Sequence, residues 1–176
     1  MIIMKDQKLR RLVLCAMFAA LTCVATMVIQ VPSPATNGYI NLGDCFVLLG
    51  AWVLGPAYGF AAGGVGSALA DLFSGYTHYV PGTFVIKGCM ALAAWFIFHA
   101  LHESRSGRIL GSLAAETVMV LGYFGYAALL LQKGLAAASS IPGNIAQAIG
   151  GIVVALLLYE ISQRLGLTEK FYRKEC

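Results

Sequence analysis

Few residues in this chain could do polar chemistry, and they sit at regular intervals inside apolar sequence. Asn144, Gln147 and Gly151 are spaced i, i+3, i+7 and share one face of a helix. Tyr123 and Tyr126 share another, with Glu116 two turns before Tyr123. Lys87, Ala91 and Trp95 recur every four residues and define a third. Asn41 and Asp44 open a short apolar run, and Tyr39 precedes them. Faces of this kind, turned toward one another, give aromatic walls with a few placed hydrogen-bonding groups, as a small-molecule pocket requires. Reaction chemistry has less support. The chain has no G-x-x-x-x-G-K-[ST] phosphate loop, no H-E-x-x-H, no G-x-S-x-G and no paired carboxylates on one helical face.

Each polar residue also has a packing explanation. Lys87 either touches a ligand or forms an ion pair with Asp71. Asn144 and Gln147 either line a pocket or hydrogen-bond between helices. Glu116 bridges helices or is a satisfied buried acid. Tyr76 and Tyr79 read as interfacial belt residues, and His99 and His102 as solvated groups at the opposite boundary. Three function classes follow: a binding subunit that works with partners, a membrane-embedded enzyme drawing its acid or base from Glu116, His78 or Asp71, and a helix-packing scaffold.

The elements that must position these residues are membrane helices. Of 176 residues, 59% are hydrophobic and only 11% charged, with a mean hydropathy of +0.78. Ordinary globular proteins carry about 25% charged residues, so the composition is that of an integral membrane protein. It excludes a secreted disulfide scaffold, a nucleic-acid-binding domain and a soluble enzyme. The five cysteines show no C-x-x-C spacing and read as small hydrophobes. No metal site or cofactor is expected.

A helix spanning the hydrocarbon core takes about 20 apolar residues. Segments 12–29, 56–73, 81–101, 109–131 and 141–158 meet or approach that length, while 42–54 is short. The first segment is long enough to span and no A-x-A site follows it, so it reads as a helix and not as a cleaved signal peptide. Ten of the twelve Lys and Arg fall in three stretches: Lys5 to Arg11, Arg105 with Arg108, and Arg164 to Lys174. All three are cytoplasmic only if the short run also crosses. The expectation is a single domain over the whole chain: an all-α bundle of six transmembrane helices with both termini cytoplasmic. Its outer loops are 30–40, 74–80 and 132–140. The first, with Pro32, Pro34, Asn37 and Gly38, has no helical period.

Small residues form a second pattern. Gly59, Gly63, Gly66, Ser67 and Ala70 make a face in the third run that suits close packing inside the protein. Ala16 and Ala20 make a similar face in the first run, whose partner is either internal or another protein.

The run Asn41-Leu42-Gly43-Asp44, then Leu54-Gly55-Pro56, Gly66-Ser67-Ala68-Leu69-Ala70-Asp71-Leu72, Gly75-Tyr76 and Thr83-Phe84-Val85-Ile86-Lys87-Gly88 resembles the substrate-binding S components of energy-coupling factor (ECF) vitamin transporters, riboflavin-type group. With the six-run layout, the resemblance covers nearly the whole chain. It implies a non-enzymatic subunit of the bacterial cytoplasmic membrane that captures a vitamin or precursor of the riboflavin, pyridoxine or hydroxymethylpyrimidine class. Loop 30–40 would cover the site and the fourth to sixth helices would line it. The implied partners are a transmembrane coupling protein, docking on Ala16-Met17-Phe18-Ala19-Ala20, and two ATPase subunits.

Overall fold

A computed structural model describes residues 2–33 and 38–166. Pro34 and Asn37 of the first loop, Lys170, Arg173 and Lys174 of the basic tail, Cys176 and the Lys5 side chain lie outside the described residues.

Six helices form the bundle: α1 (Ile2–Val28), α2 (Asp44–Leu54), α3 (Pro56–Phe73), α4 (Val80–Ala100), α5 (Arg105–Gly125) and α6 (Ile141–Arg164). Their ends follow from local chemistry. Pro56, Pro81 and Pro142 sit in the first turn of α3, α4 and α6, where a missing N–H costs nothing. The Ser104 side chain caps α5 by accepting from the Gly107 N–H at 3.0 Å. Gly55, at φ +80°, breaks the chain between α2 and α3 ahead of Pro56.

Two loops are more ordered than the sequence indicates. The first contains an antiparallel hairpin, β1 (Gln30–Ser33) with β2 (Gly38–Asn41), in register Gln30 to Asn41. Two strands of four residues, with Pro32 in the first, leave no helical period to read. The stretch after α5 continues as a π-helical turn (Tyr126–Leu130) and a 3-10 helix (Gly134–Ser140) before α6 begins. The basic pair belongs to a helix and not to a loop: Arg105 starts α5, and the Arg108 guanidinium tucks over the Tyr159 ring at 4.4 Å.

Apolar and polar residues are distributed as lipid demands. Large side chains such as Leu21, Phe73, Phe96, Leu121 and Val153 face outward, whereas Asp44, Lys87, Glu116 and Gln147 are buried. By length and composition four helical segments can cross a membrane, namely residues 7–28, 80–100, 105–130 and 134–164, while α2 has only eleven residues. With lipid outside, close backbone approach drives packing. At Gly66 of α3 a Cβ would collide with the Ala19 carbonyl of α1, so these helices touch backbone to backbone. The glycine face of α3 is thus used inside the bundle, whereas Ala16 and Ala20 of α1 face outward. Toward the end away from the hairpin, Trp52, Phe98 and Tyr159 close the core, with Trp52 and Tyr159 edge to face at 5.5 Å.

Candidate functional site

A cavity of about 600 Å³, its open mouth included, lies at the hairpin end. β2 supplies Tyr39 and Asn41, α3 supplies Ser67 and Asp71, and α4 supplies Thr83 and Lys87, with Tyr79 just ahead of it. Tyr123 of α5, Asn144 and Gln147 of α6, and Thr26 of α1 complete the principal walls. Ala127 and Ser140 close the side between α5 and α6.

Beneath it lies a buried polar network. Lys87 is ion-paired with Asp44, and both side chains are almost wholly enclosed. Gln147 donates from Nε2 to the other Asp44 oxygen at 2.7 Å. Its Oε1 accepts from the Asn41 backbone N–H at 2.9 Å and from Asn41 Nδ2 at 3.3 Å. Asn41 Oδ1 accepts from the Gly43 N–H at 2.9 Å, shaping the turn into α2. One chain of bonds therefore runs from α4 through α2 and α6 to the hairpin.

The hairpin is tied down at two further points. The Tyr39 hydroxyl donates to Asp71 Oδ1, and its ring meets Tyr76 at 4.8 Å. Gln30 Nε2 donates to Ser74 Oγ at 2.9 Å. Burial, and next the charge of the adjacent Asp71, push the Tyr39 phenol above its ordinary value. On the facing wall the Tyr123 hydroxyl donates to Thr83 Oγ1 at 3.1 Å, and Lys87 Nζ lies 5.5 Å from the centre of its ring.

Of the residues singled out in the sequence, Tyr39, Asn41, Lys87, Tyr123, Asn144 and Gln147 meet at this cavity. Trp95 does not. Eight residues along α4 from Lys87 is about 12 Å, and its ring stacks on His99 at 4.8 Å near the opposite end. Tyr126 also turns away: it starts the π-helical turn, packs its ring over Gly82 and donates its hydroxyl to the His78 carbonyl at 2.8 Å. The expected Asp71–Lys87 pair is replaced by Lys87–Asp44, because Asp44 projects from the first turn of α2 directly beside α4. Glu116 lies outside the cavity lining, its carboxyl group set against the Asp44 carboxyl group and Gly151.

Sequence reasoning missed Thr26, Ser67, Tyr79, Thr83 and Ser140. Thr83 and Ser67 each stand one turn from a residue already singled out, Lys87 and Asp71, so i, i+4 spacing could have found them. Tyr79 is buried against the cavity, not in an interfacial belt. Thr26 has the weakest signal, a small hydroxyl in an apolar run; only the fit of α1 beside Gly43 makes it a wall residue.

Comparison with known proteins places this geometry. The model of the family described as ECF-type riboflavin transporter, S component, matches residues 6–164. A Pyrococcus woesei protein, described only as an uncharacterized protein in the gap 3′ region, is 40% identical over 146 residues, 81% of this chain and 95% of that one. The thiamine precursor transporter HmpT of Lactococcus lactis subsp. cremoris is 28% identical over 173 residues, 96% of this chain and 97% of that one. A solved S component of a bacterial ECF transporter superposes with a TM-score of 0.71 at 23% identity, covering 90% of this chain and 98% of that one. That likeness shows the fold.

Proposed function

Because this chain belongs to the ECF-type riboflavin transporter S component family, we propose that its cavity captures a vitamin or vitamin precursor beneath the hairpin. A transmembrane coupling protein and two ATPase subunits then carry the ligand inward with it. The chain is a multi-pass membrane protein and a vitamin-binding subunit of such a transporter. The relative named as a thiamine precursor transporter supports the precursor class, hydroxymethylpyrimidine among the three considered.

One observation carries this reading: a polar and aromatic cavity, roofed by a tethered hairpin, in a bundle that turns many large apolar side chains outward. Tyr39, Asn41, Lys87, Tyr123, Asn144 and Gln147 are the proposed substrate residues. Lys87 and Gln147 act chiefly by shaping the floor, since Asp44 already engages both. Trp95 and Tyr126 are not retained. The described basic side chains Arg10, Arg11, Arg105 and Arg164 gather at the end away from the hairpin, which supports six crossings with that end cytoplasmic and the cavity opening outward. Ala16 and Ala20, exposed on α1, are the proposed docking face for the coupling protein.

The test has two arms. The detergent-purified protein is denatured and any co-purified small molecule identified by mass spectrometry; a vitamin-class compound at one per chain is expected. Uptake of that compound is then measured in cells with and without the coupling protein and ATPases. Uptake by the chain alone, or a preparation that neither carries nor binds any vitamin, would overturn the proposal.

A further inference from the structure

Asp71 is 5% exposed and lines the cavity. Its two oxygens differ. Oδ1 accepts the Tyr39 hydroxyl, while Oδ2 is buried and has no hydrogen-bond partner among the described residues. The Thr83 hydroxyl accepts from Tyr123 and can turn its own proton to the carboxyl group, whose oxygens still have lone pairs for a further donor. Lys87, the one cation among the described lining residues, is committed to Asp44. A buried acceptor left unmatched is costly and is stabilised by any donor brought to it. In a cavity walled by Tyr39, Tyr79 and Tyr123, such a donor would arrive on a flat ring.

We propose that Asp71 Oδ2 is the ligand's principal hydrogen-bond acceptor, and that it selects a nitrogen heterocycle bearing an exocyclic amino group, of the aminopyrimidine kind. The inference rests on the capture role proposed above and narrows its substrate. An amino N–H meets Oδ2 directly. A lactam or imide ring presents a carbonyl oxygen at the same place, so two acceptors face each other. An anionic ligand, such as a phosphate ester, meets a carboxyl group, and Lys87, the one cation among the described lining residues, is already paired with Asp44.

Tyr39 also provides a sharp test. It donates to one oxygen of residue 71, so in Asp71→Asn the amide oxygen keeps that bond and the NH2 group takes the place of Oδ2. The acceptor becomes a donor with little change in shape. Binding of a hydroxymethyl-aminopyrimidine, its oxo counterpart with a ring carbonyl for the amino group, its phosphate ester, pyridoxine and riboflavin is measured by calorimetry on wild type and variant. The wild type is expected to prefer the amino compound over the oxo compound by at least about tenfold, and the variant to lose or reverse that preference. Equal binding of the pair by the wild type, or a preference for the oxo compound, overturns the inference. This comparison decides the matter even if Asp71→Asn does not fold. Tight binding of riboflavin or pyridoxine with neither pyrimidine bound overturns it too, yet leaves the capture role standing. Binding of no compound in the panel, with none co-purifying, removes the capture role itself.

Discussion

Lys87 of α4 is ion-paired with Asp44 of α2, and the pair is enclosed within the bundle at the floor of the cavity. A buried pair adds little over an apolar substitute, but removing one partner strands the other. Lys87→Met should therefore lower stability by about 3–5 kcal/mol. Adding Asp44→Asn should restore much of it, whereas adding Asp71→Asn should not. Thermal unfolding of the three variants in detergent checks this; rescue by Asp71→Asn would mean that the pair is misassigned.

Gln147 should govern how long a ligand stays. Its side chain joins α6 to both Asp44 and the base of the hairpin. Gln147→Leu removes these bonds and leaves the Asn41 N–H without its acceptor, a loss of about 1–3 kcal/mol. Ligand release, followed by stopped-flow displacement, should accelerate by about tenfold or more. An unchanged release rate would show that the hairpin is held elsewhere.

Asn144 lines the wall one turn from Gln147, outside the Asp44 network. Asn144→Ala should weaken ligand binding by about tenfold or more while leaving the unfolding midpoint in place. Titration calorimetry and thermal unfolding on one preparation separate the two effects. A fall in stability with unchanged affinity would assign Asn144 to packing.

On α1, Ala16→Leu with Ala20→Leu adds volume to an outward face. Ligand binding by the isolated chain should persist, because the α1 residue at the cavity is Thr26, about nine ångströms farther along the helix from Ala20. Uptake in cells supplying the coupling protein and ATPases should collapse, since small-residue packing tolerates little added bulk. Normal uptake with normal partner co-purification would dismiss this face.

The Tyr39 phenol is raised from its ordinary 10.0, so the folded chain keeps a proton there that the unfolded chain releases. Its stabilising contribution is then full below the ordinary value and declines as pH rises beyond it. Tyr39→Phe should be less stable than wild type at neutral pH, with the two converging in strong alkali. Unfolding midpoints across an alkaline pH series provide the measurement, and parallel curves would contradict it.

Much of the fold was legible because apolar run length and charge placement are one-dimensional signals. They gave six helices and the site's polar faces. What they could not give is azimuth between helices. Run length pointed Lys87 to Asp71, but its partner is Asp44 because α2 starts beside α4. Trp95 and Tyr126 obey the right spacing, but one is too deep and the other sits where the α-helical turn widens. The hairpin was hidden because two strands of four residues, one with a proline, leave no period, and Thr26 because a small hydroxyl in a spanning run looks like any packing residue.

The backbone contact at Gly66 has a mechanical consequence. With backbone laid so close to backbone, α1 and α3 have little room to slide past one another. Ser67 follows Gly66 directly and Asp71 stands a little over a turn beyond, so this tight seam runs into the cavity wall. Gly64 of α3 is likewise pressed closely against the Phe84 carbonyl of α4, so α1, α3 and α4 make one stiff side of the cavity.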